Sequence, residues 1–147
     1  MAIALGSDHA GYALKQALRR WLDAQSIEYT DFGCFEESPS VDYADFSFRV
    51  ASAVSSGVCS RGVVICGTGI GAMITANKVG NIRAALCCSD YMAEMARRHN
   101  DANIIAFGGR TTTPELAVSM LRIFLDTPFE GGRHFGRVEK IHHLTGR

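Results

Sequence analysis

The strongest constraint on the fold is Arg61-Gly62-Val63-Val64-Ile65-Cys66, a mostly apolar run of strand length that stops at Gly67-Thr68-Gly69-Ile70-Gly71. A continuous rather than alternating apolar run reads as a strand covered on both faces, the environment of a parallel sheet flanked by helices. Parallel neighbours need crossover connections, so helical segments must stand between the strands. Ile3–Gly6 reads as the first strand, followed by a helix over Tyr12–Ala24 in which Leu14, Leu18, Trp21 and Leu22 share one face. Further strands are predicted at Tyr29–Phe32, Arg83–Cys87 and Asn103–Phe107. Helices are predicted at about Ala44–Ser55, from the glycine loop through Ala76, from Ser89 as cap to about Arg98, and from Thr113-Pro114-Glu115 to about Leu125. The expected architecture is therefore α/β, a three-layer α/β/α sandwich around a five-stranded parallel sheet, with a basic, partly helical tail from Gly132.

At 147 residues, 47% of them apolar, the chain is expected to form one domain over residues 1–147 with a single well-filled core. Lysines and arginines equal aspartates and glutamates at 15 each, so nothing global draws the chain to nucleic acid or an anionic membrane. Any anion site must be built locally. No apolar run approaches the roughly 20 residues that span a bilayer, and the opening MAIALGSDHAGY lacks the plan of a signal peptide, so a cytoplasmic location is expected. The five cysteines (Cys34, Cys59, Cys66, Cys87, Cys88) are odd in number and form no CxxC pair, which fits a reducing compartment rather than a disulfide framework.

In a doubly wound sheet, ligands sit beyond the carboxyl ends of the strands. That rule selects Gly6–Gly11, Cys66–Gly71, Cys88–Asp90 and Gly108–Arg110. In the second of these a strand delivers the Cys66 thiol to its end, and the glycines of Gly67-Thr68-Gly69-Ile70-Gly71 let backbone N–H groups approach an anion. A thiol beside such a field is expected to have a lowered pKa, so Cys66 is a candidate base or nucleophile. The loop also admits a dinucleotide reading, with Asp90 as a ribose-binding acid, but the third glycine falls at the wrong spacing. A plain tight turn is the bland alternative.

Asp8 and His9 follow the first strand and face the same crevice, although Asp8 can equally cap the first helix. His99 and Asn100 close the helix after the fourth strand, where a protonated imidazole is stabilised by the helix carboxyl end. Arg110 and Arg133 each follow a glycine pair, and Arg133 and Arg137 stand side by side on a helix, repelling unless an anion joins them. A solvated basic tail is the alternative. His134, His142 and His143 show no carboxylate or thiol at ligand spacing, so no metal site is expected.

With these residues assembled, the chain resembles the ribose-5-phosphate isomerase B family, within the wider group that includes galactose-6-phosphate and allose-6-phosphate isomerases. The matching segments run nearly end to end: Gly6–Tyr12, Asp42–Phe46, Arg61–Gly71, Ala76–Lys78, His99–Asn103, Gly108–Arg110 and Gly131–His134. The resemblance implies a Rossmann-like fold and interconversion of D-ribose 5-phosphate and D-ribulose 5-phosphate through an enediolate, in the non-oxidative pentose phosphate pathway, without cofactor or metal. It implies that Cys66 moves the proton between C1 and C2, while the N–H groups of Gly67, Thr68, Gly69, Ile70 and Gly71 and the Thr68 hydroxyl stabilise the enediolate oxygen. It further implies that His99 with Asp8 opens the furanose ring, that Tyr43 and Asn100 hold the sugar, and that His9, Arg110, Arg133 and Arg137 grip the phosphate. Family members are dimers or tetramers with shared sites, so the implied partners are the sugar phosphate and further copies of the chain, a homodimer or homotetramer.

Two departures occur: Ala72-Met73-Ile74-Thr75 follows the glycine loop where Met-Ser-Ile-Ala is usual, and Ala44 stands where proline is frequent. Some relatives use a carboxylate further along the loop. None occurs in Gly67–Asn77 here, which favours the thiol. The rivals left open are an isomerase of another sugar phosphate, whether allose 6-phosphate, galactose 6-phosphate or a tetrose phosphate, and a noncatalytic sugar-phosphate sensor.

Overall fold

The computed structural model describes residues 2–147. Its strands are β1 (Ile3–Ser7), β2 (Tyr29–Asp31), β3 (Arg61–Cys66), β4 (Ala84–Leu86) and β5 (Ile104–Gly108). The helices are α1 (Tyr12–Ala24), α2 (Tyr43–Ser55), α3 (Ile70–Ala76), α4 (Asp90–Asn100), α5 (Pro114–Asp126) and α6 (Phe135–Thr145). All strand pairs are parallel, in the order β2-β1-β3-β5-β4. The expected five-stranded α/β sandwich and helical tail are present. Predicted caps do their work: the Ser89 and Thr113 side chains accept from Met92 N and Leu116 N. The two edge strands are shorter than their apolar signals, β4 shrinking from Arg83–Cys87 to three residues, because an edge has only one neighbour to pair with.

Side chains alternate across the sheet and divide the core in two. Ile3, Leu5, Val63, Ile65, Ile105 and Phe107 meet Leu14, Leu18 and Leu22 of α1, Ala93 and Ala96 of α4, and Met120, Leu121 and Phe124 of α5. On the other face Ala4, Val64, Cys66, Ile104 and Ala106 meet Val50, Ala51 and Val54 of α2 and Ala72 and Ala76 of α3. One face is built from large side chains; the other is lined mainly by small ones, which lets α2 and α3 sit close. Cys66 points to that second face.

Lys15 breaks the apolar stripe of α1, being wholly buried, with its ammonium donating to Asp31 Oδ1 at 2.7 Å and to the Cys34 carbonyl. It fastens the three-residue β2 and the loop that follows it. From β1 the chain moves to β2 on one side, and from β3 it moves to β4 and then β5 on the other, so the strand order reverses between β1 and β3. A crevice opens at such a switch point.

Candidate active site

Loops after β1, β3 and β5 converge on that crevice. Gly109 N–H donates to the Cys66 carbonyl at 2.7 Å and Arg110 N–H to the Gly67 carbonyl at 3.0 Å, tying the β5 loop to the β3 loop. The resulting cavity, of about 490 Å³, is lined by Asp8, His9, Tyr43, Cys66, Gly67, Thr68, Ile70, Gly71 and Arg110, together with Ala10 and Ile74. Gly69 makes the loop possible: at φ +80° it turns the chain from β3 into α3, and an added Cβ would lie 2.8 Å from the Phe107 backbone.

Each lining group is held. Asp8 accepts from Gly11 N–H at 3.0 Å through Oδ1, so it caps the single 3-10 turn His9–Gly11 that leads into α1, rather than α1 itself, and is a buried wall of the cavity. The His9 ring is gripped by the loop after β2: its Nδ1 lies 3.2 Å from Val41 N and 3.3 Å from the Val41 carbonyl, and Nε2 lies 3.4 Å from Ser40 Oγ. Thr68 Oγ1 accepts from Ile70 N–H at 3.4 Å, which leaves its own O–H to donate to a ligand. The first N–H groups of α3 lack acceptors within the helix and face the same space. Tyr43 opens α2 and lays its ring against Gly71, where a Cβ would stand 2.6 Å from Cε2. Arg110 spreads over Gly67, its Nη1 3.0 Å from where a Cβ would be.

His99, Asn100, Arg133 and Arg137 do not line this cavity. The helix α4 leaves the carboxyl end of β4 and runs back, so His99 lies near the amino ends of the strands. Arg83, just before β4, donates through Nε to the carbonyls of Asn100 and Asp101 at 3.0 and 2.9 Å. Cys66 is paired with Gly108 at the opposite end of β5. Four residue steps of β5 alone separate the two ends by about 13 Å. Asp101, at φ 45°, ends α4 and takes Arg83 and Arg97 on its two carboxylate oxygens at 3.1 and 2.8 Å.

Around His99 stands a cluster that the sequence did not suggest. The His134 ring stacks on it with centroids 4.2 Å apart and planes 13° from parallel. Contrary to the expectation that His134 lacks a carboxylate neighbour, Glu130 Oε1 lies 3.8 Å from its Nε2, and the pair is spaced i,i+4. The signal was present in that spacing; the contribution of His99, from another element, was not. Ligand atoms of His99, Glu130 and His134 fall within 4.8 Å of one another. Parallel stacked rings direct their nitrogen lone pairs in separate planes, so one ion at about 2.1 Å from both nitrogens does not fit without turning a ring. The guanidiniums of Arg98 and Arg133 on Glu130 and His134 add to the mismatch. The cluster suits proton and anion chemistry.

Among the described residues no helix is long and apolar enough to cross a membrane, and all five cysteines are free thiols. Sheet, glycine loop and switch-point cavity together define a doubly wound α/β protein with a crevice fit for a small anionic ligand. The profile of the family described as ribose/galactose isomerase matches residues 3–141, and the chain belongs to that family. It is 42% identical over 145 residues to ribose-5-phosphate isomerase B of Escherichia coli, covering 99% of this chain and 97% of that one. It is 40% identical to D-erythrulose-4-phosphate isomerase of Pectobacterium atrosepticum, covering 96% and 93%. The solved ribose-5-phosphate isomerase B of Clostridium thermocellum superposes with a TM-score of 0.97 at 50% identity, over 99% of this chain and 98% of that one. The protein is thus a sugar-phosphate isomerase of the aldose–ketose type, and the sensor and dinucleotide alternatives fall away.

Proposed function

We propose that the chain interconverts D-ribose 5-phosphate and D-ribulose 5-phosphate with Cys66 as the base, acting as a homodimer, or a pair within a tetramer, in a reducing cytoplasm. The reading rests chiefly on one observation: Cys66, at the carboxyl end of β3, lines the crevice with Asp8 and the glycine loop, and that loop carries no carboxylate. The ring opens when His99 protonates the ring oxygen and Asp8 takes the anomeric hydroxyl proton, leaving an aldehyde at C1. Cys66 thiolate removes the C2 proton, and the electron pair shifts onto the C1 oxygen. Loop N–H groups and the Thr68 hydroxyl hold that charge. A proton passes from O2 to O1, the thiol returns its proton to C1, and the ketose forms.

In this reading His99, Asn100, Arg133 and Arg137 serve the crevice of a second copy. Support comes from the exposure of Asn100, Arg133 and Arg137, with His99 half-buried beside them, and from their place at the opposite end of the sheet. His9 and Arg110 hold the phosphate from one side, the partner's basic tail from the other, and Tyr43 with Asn100 positions the sugar. A tetrose phosphate is the second candidate substrate, because one relative at 40% identity is named for a tetrulose phosphate.

The test is ketose formation in EDTA from ribose 5-phosphate and, separately, D-erythrose 4-phosphate, by wild type and Cys66→Ala of equal circular dichroism. The pentose is expected to turn over faster, and Cys66→Ala to lose about 10³-fold or more in kcat, the scale of positioned acid–base catalysis. A variant that keeps wild-type kcat removes the thiol from the mechanism; a faster tetrose replaces the substrate.

A further inference from the structure

His134 has no part in the chemistry above, yet it is buried directly beside His99. It is 3% exposed although its neighbours Arg133 and Arg137 are exposed. One face of its imidazole lies flat on His99. At its edge, Arg133 Nε–H donates to Nε2 at 3.4 Å, so that nitrogen is the acceptor and the ring is neutral with its proton on Nδ1. The charged groups around it are His99 and Arg98 from α4, Glu130 from the segment after α5, and Arg133 and Arg137 from the tail. Arg98 occupies the second oxygen of Glu130 at 3.1 Å, which keeps that carboxylate from pulling the ring away from His99. Burial, then the adjacent His99 and Arg133, hold the His134 imidazole below the ordinary histidine range, against the pull of Glu130.

We propose that His134 is a positioning residue for two substrate groups at once: its ring face fixes the plane of His99, and its Nε2 fixes the guanidinium of Arg133. An unsupported histidine on the last turn of α4 samples several rotamers, and an exposed arginine samples more. Stacking and one hydrogen bond remove that freedom before substrate arrives. The proton donor and one arm of the phosphate clamp then share a single support. Their separation is set by one ring, and it must match the short fixed path from the furanose oxygen to the phosphate within one sugar. The inference rests on the roles proposed for His99 and Arg133.

The test compares His134→Ala and His134→Phe with wild type and His99→Asn, on ribose 5-phosphate, with folding checked by circular dichroism. His134→Ala is expected to lose about 10- to 100-fold in kcat and to raise KM about threefold or more, the scale of lost orientation. His134→Phe keeps a flat face but no acceptor, so it is expected to recover most of the kcat while KM stays raised. A merely structural role does not split the two constants in this way. Wild-type kcat and KM in folded His134→Ala, or a folded His134→Phe as slow as the alanine variant, overturns the inference. Full activity in His99→Asn instead overturns the underlying role of His99. An inactive His99→Asn beside an unaffected His134→Ala sinks the positioning idea alone.

Discussion

The crevice at the carboxyl ends of the strands and the histidine cluster at their amino ends are built by opposite means. The crevice is mostly backbone: glycines that let the chain approach itself, loops cross-linked by main-chain hydrogen bonds, and a buried thiol and carboxylate. The cluster is mostly side chain, its groups projecting from a helix end and a tail, with only His134 buried. Rigid main-chain donors suit charge that appears at a fixed atom. Charged side chains suit capture of a phosphate and delivery of a proton. The contrast teaches that one chain carries two differently built surfaces at opposite ends of one sheet, which under the proposed function complement each other between copies.

The most severe way to break this division is to disable each half in a different chain. Cys66→Ala and His99→Asn are each expected to be inactive alone. When co-refolded in equal amounts they should regain about a quarter of wild-type activity, since half the random dimers are mixed and each has one intact site. No recovery, with mixed dimers demonstrated by mass spectrometry, places both residues in one chain's site. A smaller loss is expected from Gly71→Ala, whose new Cβ meets the Tyr43 ring at 2.6 Å and tilts it into the crevice. Its kcat/KM should fall about 10²-fold with melting temperature little changed, whereas a drop in melting temperature alone shows that Tyr43 yields without cost to the site.

The smallest effect sharpens the comparison by pH. The His134 pKa is lowered by folding, so below the ordinary value of 6.5 the unfolded chain binds a proton that the folded chain refuses. Stability therefore falls as pH drops through the window beneath 6.5 and is restored above it. The denaturation midpoint of wild type should decline there, and His134→Phe should lack this part of the decline. An identical pH dependence in both proteins assigns the effect to other groups.

Much of the crevice was legible because it follows chain order. Arg61–Cys66 is a strand with the predicted bounds, since a covered parallel strand leaves a continuous apolar run that no helix of similar length mimics when glycine closes it. Asp8, Thr68 and Arg110 were found by one rule, that strand ends bear ligands. The amino-end cluster was not legible in the same way. His99 and Glu130 come from segments on either side of β5 and α5, and only the packing of α4 against α5 brings them together. Lys15 was invisible for a related reason: it is flanked by core positions on α1, and its partners Asp31 and Cys34 become neighbours only once β2 joins the sheet. The length of β4 was overestimated because apolar residues at an edge do not all pair.

The unequal faces of the sheet make the protein asymmetric toward mutational drift. On the side of α1, α4 and α5, where Phe107 and Phe124 fill the space, truncation is the hazard, at about 3–5 kcal/mol for a phenylalanine cut to alanine. On the side of α2 and α3, where Ala4, Ala72 and Ala106 allow close approach, growth is the hazard, at about 1–3 kcal/mol for added methyl groups. Growth there also lifts α3, and with it the glycine loop, off the end of β3. A lineage of this enzyme can thus lose stability through either face, but loses its chemistry first through the side with the smaller residues.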